Sequence, residues 1–241
     1  MESDSSTEAI RAALEGQVAI FEGVPPEGLE RAVALARREK LAKDKVLFHQ
    51  GDAAEAFHLI LAGRVRVGQT TPDGQHVIIR YLGPREVAGC VAVCGGVPYP
   101  ATATAVEDTW LLTWTRARIA ELAAAYPVIA LNGMRIMGGR NTELQERLRE
   151  VQTGRVEGRI APAPGRPGLQ GGRGDKDGIE IDFPISRQDL AEMTGTTLHT
   201  VSRTISAWES AGIVLSGRQK VVIAKPHALV AIAQDLPETP A

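Results

Sequence analysis

The chain has 241 residues, 44% of them hydrophobic and 23% charged, with a formal net charge of −2. This is ordinary globular composition with room for two domains. Its charge excludes indiscriminate adhesion to nucleic acid or anionic membrane, yet permits a DNA reader whose positive charge is confined to one face.

No apolar run approaches the roughly 18 residues of a membrane span. The start, MESDSSTEAIR, is acidic and lacks the basic and apolar regions of an export signal. A cytoplasmic protein is expected. Residues 8–40 then place apolar and charged residues at helical spacing, in AIRAALEGQVAIF and PPEGLERAVALARREK. Pro25 and Pro26 mark the start of the second helix, where proline is tolerated.

After Lys45 the texture changes to short runs of Val, Ile and Leu, divided by turn signals at Gly51-Asp52, Ala62-Gly63, Asp73-Gly74 and Gly83-Pro84. Such spacing predicts an antiparallel barrel or sandwich, with a hairpin at Asp73-Gly74 and further strands in ATATAVEDTWLLTW. The two cysteines, Cys90 and Cys94, exclude a disulfide framework and any four-cysteine cluster within one chain. Four residues apart, they would share a helical face, and the reading preferred is two small buried hydrophobes.

Helical texture returns at Arg116. Met134, Met137, Asn141, Leu144, Leu148 and Val151 step by three and four, a heptad seam with Met134, Asn141 and Leu148 at a and the others at d. A dimer seam is expected, with a helix packed on its own domain as the competing reading. Gly138 and Gly139 weaken that helix by about 1 kcal/mol each relative to alanine. Residues 158–178, GRIAPAPGRPGLQGGRGDKDG, read as a linker or disordered loop. The RGD within them is read as chance, and GGRGDKDG as no phosphate loop, because no strand precedes it and no helix follows.

From Ile185 the sequence is ISRQDLAEMTGTTLHTVSRTISAWESAGIVLSGRQKVVIAKP. Ser186 with Asp189 three residues on resembles a capping box. The helix that follows ends at Gly195, which can take a positive φ, and a second begins at Thr196 or Thr197. Leu190, Met193, Leu198, Val201 and Ile205 are expected to form the shared core, with Ala191 permitting close approach. IVLSGRQKVVI then makes a hairpin. Helix, turn, helix and hairpin describe a winged helix-turn-helix, whose second helix enters the major groove of DNA. The candidate DNA-binding residues are Thr196, Thr197, His199, Thr200, Ser202 and Arg203 on that helix, Arg187 and Gln188 on the first, and Arg218 in the wing.

On VLFHQGD, AFHLILAGRVRV, the strands through Trp114, the long helix and ISRQDLAEMTGTTLHTVSR, the chain resembles the Crp/Fnr family of bacterial transcription regulators. The resemblance covers nearly the whole length. It implies an α+β protein: an antiparallel β-roll sensor of double-stranded jelly-roll type (residues 1–125), a dimerisation helix (126–154), a hinge (155–180) and a DNA-binding domain (181–241). It implies a homodimer on a palindromic site in double-stranded DNA, with RNA polymerase as partner, no catalysis and no membrane association. Arg203 falls where the family's arginine reads guanine through O6 and N7. Ser202 matches the Fnr-like members. His199 departs from the family, which usually keeps a glutamate there.

In the family's cyclic-nucleotide binders a Gly-Glu segment and an Arg-Ser pair hold the phosphate. The matching stretches here are VAGCVAVCGG and PYPATATA, with Tyr99 and Pro100 at the Arg-Ser place. Cyclic AMP is therefore not expected, since the counter-charge for a phosphate is gone. The iron–sulfur mode is excluded by the lack of cysteines before Cys90. Cys90, Cys94, Tyr99, Ala101 and Leu144 are the candidate effector-pocket residues. No metal site is assigned; haem is a candidate cofactor with His49, His58 and His76 as ligands, and nitrogen-oxide sensing is the leading expectation. Pro162, Pro164 and Pro167 are expected to interrupt the helix leading into the DNA-binding domain. The competing classes are a ligand-binding β-roll module and a cupin-like metal enzyme. The scattered histidines disfavour the latter.

Overall fold

The strand texture folds into two antiparallel sheets. The strands are β1 (Arg37–Leu41), β2 (Val46–Phe48), β3 (Ala56–Ala62), β4 (Val65–Thr70), β5 (His76–Leu82), β6 (Val87–Ala88), β7 (Thr102–Ala105) and β8 (Thr109–Thr115). One sheet has the order β1-β8-β3-β6 and the other β2-β7-β4-β5. The computed structural model describes residue 14 and residues 18–90, 95–153, 156–161, 174–175, 178–180, 185–217 and 220–233. Cys94, Pro162, Pro164, Pro167 and Arg218 lie outside them. The chain forms two compact units, residues 1–69 with 82–143, and residues 70–81 with 144–241.

In the first unit, helix α1 (Pro26–Leu35) starts with Pro26 at its first position, as expected. It stops at Leu35, five residues short of the helical pattern read in the sequence. Arg37–Leu41 is strand instead, paired from Arg37 with Thr113 to Leu41 with Thr109. Arg, Glu and Lys are good helix formers, but the ladder on β8 supplies their backbone partners and overrides that preference. Behind this sheet Phe21 and Phe57 tilt onto Trp114, at centroid distances of 5.4 and 5.5 Å. The Trp114 indole N–H donates to Ala32 O at 2.8 Å. Helix α2 (Arg116–Ala125) begins on Thr115, whose side chain accepts from the Arg118 N–H.

The expected long helix is present as α3 (Val128–Thr153). Its buried Asn132 donates to the carbonyls of Ile20 and Glu22, at 3.2 and 2.7 Å. A short helix α4 (Val156–Ile160) follows, and helical backbone ends at Ile160, two residues before Pro162. A residue directly before proline is pushed out of the helical region, which accounts for the stop.

The second unit holds α5 (Arg187–Thr194), α6 (Leu198–Ser210) and α7 (Pro226–Ala233). Its sheet is larger than the two-stranded wing read from sequence. Strands β9 (Gly174–Asp175), β10 (Gly178–Glu180), β11 (Val214–Gly217) and β12 (Lys220–Ile223) pair in the order β11-β12-β10-β9. Gly174, Asp175 and Gly178 of the stretch read as linker are thus strand, because Gly178 pairs with Asp175 and Ile179 pairs with both Gly174 and Ile223. Within this unit Arg147 of α3 donates to the carbonyls of Ile78 and Ile79, at 2.9 and 2.6 Å, and to that of Met193 at the end of α5. No helix among the described residues is long and apolar enough to cross a membrane.

Candidate functional site

The helix-turn-helix is built by three local devices. Ser186 and Asp189 form a reciprocal capping box: Asp189 N–H donates to Ser186 Oγ at 3.0 Å, and Ser186 N–H to Asp189 Oδ2 at 2.8 Å. Gly195 ends α5 at φ 63°, ψ 41°, a left-handed conformation that glycine adopts without steric cost. The cap of α6 settles the choice left by the sequence: it is Thr197, whose hydroxyl accepts from Thr200 N–H at 3.1 Å. Buried Leu190, Met193, Val201 and Ile205 join the two helices, as expected. Leu198 does not; it is 48% exposed. The inward orientation read for it is corrected. At about 100° per residue Leu198 stands at the margin of the face defined by Val201, Thr204, Ile205 and Trp208, and in the first turn that margin faces solvent.

The outward row is as the sequence placed it. His199 and Arg203 are exposed, Ser202 and Thr200 half-buried, and neither the His199 nor the Arg203 side chain has a hydrogen bond or ion pair among the described residues. Thr197 and Thr200 are engaged with each other, Oγ1 to Oγ1 at 2.9 Å. Gln188 donates to Glu192 at 2.9 Å. Arg187 points into its own domain: its guanidinium donates to Ser216 Oγ at 3.0 Å and lies 3.5 Å from Glu209. Glu209 in turn accepts from Ser216 N–H at 3.1 Å and from the Ser216 hydroxyl. This tie fixes α5, α6 and wing strand β11 together, and no local pattern of residues signals it. Lys225 donates to Ala211 O at 3.2 Å, placing a cation at the negative end of α6.

In the roll, the two segments that match the family's phosphate clasp touch each other. A Cβ added at Gly89, which has φ +78°, would meet the Tyr99 ring at 3.1 Å and Ala56 O at 2.8 Å. The Tyr99 hydroxyl donates to Ala56 O at 2.5 Å and accepts from Ala56 N–H at 3.2 Å. Its ring stacks on Phe48 at 3.8 Å and 11°. Burial is the main reason the phenol pKa is raised; nearby Glu55 and Asp52 add to it, and the bond to Ala56 works against it. Phe48 also stacks on His58, at 5.9 Å and 25°. His58 is 6% exposed, with Nδ1 2.9 Å from Thr113 Oγ1. Its pKa is lowered to about 4, chiefly by burial; Glu39 opposes the shift and Arg37 assists it. Cys90 and Ala101 are buried in this unit, whereas Leu144 is exposed on α3 in the other unit. His49 and His76 are exposed. Among the described residues no group of three or more His, Cys, Asp or Glu is placed to hold a metal ion.

A β-roll joined in sequence to a winged helix-turn-helix is the architecture of a DNA-binding regulator. Comparisons make the class specific. Residues 38–126 match the family model of the cyclic nucleotide-binding domain, and residues 168–232 that of the Crp-like helix-turn-helix domain. The chain is 30% identical over 214 residues to a protein of Thermus thermophilus named cyclic AMP receptor protein, covering 89% of this chain and 96% of that one. The crystal structure of Thermus thermophilus catabolite activator protein aligns with a TM-score of 0.52 at 30% identity, covering 91% of this chain and all of that one. FixK2 from Bradyrhizobium japonicum shares the fold, with a TM-score of 0.69 at 22% identity over 86% of this chain and 99% of that one. The chain belongs to the Crp/Fnr family of transcription regulators.

Proposed function

We propose that the protein is a cytoplasmic, non-enzymatic transcription regulator that binds a palindromic DNA site as a homodimer and works with RNA polymerase. The observation that carries this reading is the outward row of α6. A capped helix presents the side chains of His199 and Arg203, both without partners among the described residues, from a domain in which Arg187 is already engaged. Arg203 reads guanine, and His199 sets the neighbouring base. To Thr196, Thr197, Thr200 and Ser202 we assign contacts to the DNA backbone, and to Gln188 and Arg218 contacts to the flanking phosphates. The seam of Met134, Met137, Asn141, Leu144, Leu148 and Val151 joins two copies. The functional divisions fall at 1–125, 126–154, 155–180 and 181–241.

The effector is a signal other than cyclic AMP or an iron–sulfur cluster. Support comes from Tyr99, whose neutral ring and bonded hydroxyl stand where a phosphate binder needs a cation. Cys90, Cys94, Tyr99, Ala101 and Leu144 are the residues assigned to effector response, and nitrogen oxide is the signal favoured. Of the three histidines, His58 has the chemistry of an iron ligand, being neutral with Nδ1 held by a hydroxyl. The surroundings do not fit haem, however. With 6% of its surface accessible, His58 could take a porphyrin only by displacing its cover, Phe48 and the Tyr99 stack included.

Selection of duplexes from a random pool by the full-length protein tests the DNA reading. The expected product is a palindrome with a guanine in each half-site, bound less tightly as salt rises. A pool that yields no preferred sequence would contradict it. An absorption spectrum of anaerobically purified protein, with and without added haem and nitric oxide, tests the sensor; no Soret band is expected from the packing of His58.

A further inference from the structure

Half-buried Arg147 leaves α3 between Leu144 and Leu148, and its guanidinium donates to backbone carbonyls from two distant parts of the chain. Ile79 O and Ile78 O accept at 2.6 and 2.9 Å, and Met193 O accepts as well. Both partners are places where backbone groups lack a regular mate. β5 ends the order of its sheet among the described residues, and Met193 lies in the last turn of α5, just before the Gly195 turn. α5 has no basic residue in that turn, so Arg147 supplies the cation its negative end favours. Since these acceptors are main-chain atoms, the grip holds the path of the backbone itself.

We propose that Arg147 is a positioning residue that sets the spacing between the two half-sites of the DNA target. The helix that carries it also carries Leu144 and Leu148, 55% and 58% exposed, which belong to the dimer seam assigned above. One guanidinium thus ties the first helix of each DNA reader to the helix that fixes its distance from the other reader. The tie reaches α5 directly, bypassing the chain between Thr153 and Arg187, and it leaves His199 and Arg203 exposed. Held in this way, the two recognition helices stand at one separation and one rotation about the duplex. This rests on the palindrome-reading homodimer above and adds a geometric preference that no base contact supplies.

The test takes a duplex selected by the full-length protein and adds or removes one or two base pairs between its half-sites. Each added pair moves one half-site by about 3.4 Å and turns it by roughly 35° around the axis. Wild type is expected to bind the selected spacing at least about tenfold more tightly than any altered one, because both readers engage only there. Arg147→Ala is expected to reduce that ratio to about twofold, since a reader held only by its connecting chain reaches these spacings alike. Its affinity for an isolated half-site and its sedimentation as a dimer should match wild type, which a general loss of fold would not allow. Arg147→Lys keeps the charge and the aliphatic stem but lacks the planar fork that spans several carbonyls, and the same loss of spacing preference is expected. The assignment is overturned alone if both variants keep the wild-type ratio, or if they weaken half-site and palindrome equally. Wild type that binds every spacing alike, or a pool that yields no preferred duplex, overturns the palindromic reading beneath it as well.

Discussion

At the scale of single residues, burial and exposure decide what each side chain does. His58 is neutral in the fold because burial lowers its pKa from 6.5 to about 4. Between those values the unfolded chain takes up a proton that the folded chain refuses, so stability is full above about pH 6.5 and falls as pH drops toward 4. Linkage gives a loss of about 2 kcal/mol between pH 7.5 and 5 from this group. Urea unfolding should show that loss in wild type and a clearly smaller one in His58→Gln; equal losses would assign the pH dependence elsewhere. His199 stands where the resemblance to the family implies a glutamate. Replacing it with the family's usual glutamate, His199→Glu, should change the preferred base at one position of each half-site and leave the guanine preference of Arg203 intact, as read by repeated selection. The outward row of α6 was legible in the sequence because helical periodicity separates exposed His199 and Arg203 from buried Val201 and Ile205. Leu198 was not. Periodicity put it at the edge of the buried face, and only the packing of the first turn decides an edge residue.

Elements formed where local chemistry and tertiary partners agree, and were misread where they conflict. The capping box at Ser186, the glycine at 195 and the cap at Thr197 are side-chain and backbone devices close in sequence, so the helix-turn-helix could be read directly. Gly195 makes a clean test. A Cβ there would meet nothing within 4 Å, so the cost of Gly195→Ala is conformational alone. It should be about 1 kcal/mol, and smaller for Gly195→Asn, in thermal unfolding. A much larger loss would mean that unseen packing surrounds the turn. By contrast, β1 was hidden in helix-forming residues, and β9 and β10 in a glycine-rich stretch. Each is strand because a partner distant in sequence completes its ladder: β8 for β1, and β12 for β10. Pairing of that kind leaves little trace in a short polar segment.

For the whole molecule, the long helix carries the proposal of a dimer. Met134, Leu144 and Leu148 are 59%, 55% and 58% exposed, and Leu131, one turn earlier and absent from the sequence reading, is 57% exposed. Large apolar side chains recurring along one helix are costly to leave in water and suit a partner helix. Leu148→Asp should shift sedimentation toward monomer and weaken binding to a palindromic duplex far more than binding to an isolated half-site. A variant that stays dimeric would place the seam elsewhere. The roll shows the limit of reading by resemblance. The missing arginine was visible, but the stack of Tyr99 on Phe48 and of Phe48 on His58 depends on β2, β3 and the segment before β7 meeting in space.

We propose that α6 reads DNA sequence through Arg203. Fluorescence anisotropy, with a selected duplex and a scrambled one of equal length at fixed salt, tests it most directly. Arg203→Ala should lose roughly 5- to 150-fold in affinity for the selected duplex, corresponding to ~1–3 kcal/mol for a bidentate guanine contact, with little change on the scrambled one. Equal binding of both duplexes by wild type, or unchanged binding of the selected duplex by Arg203→Ala, would contradict the account.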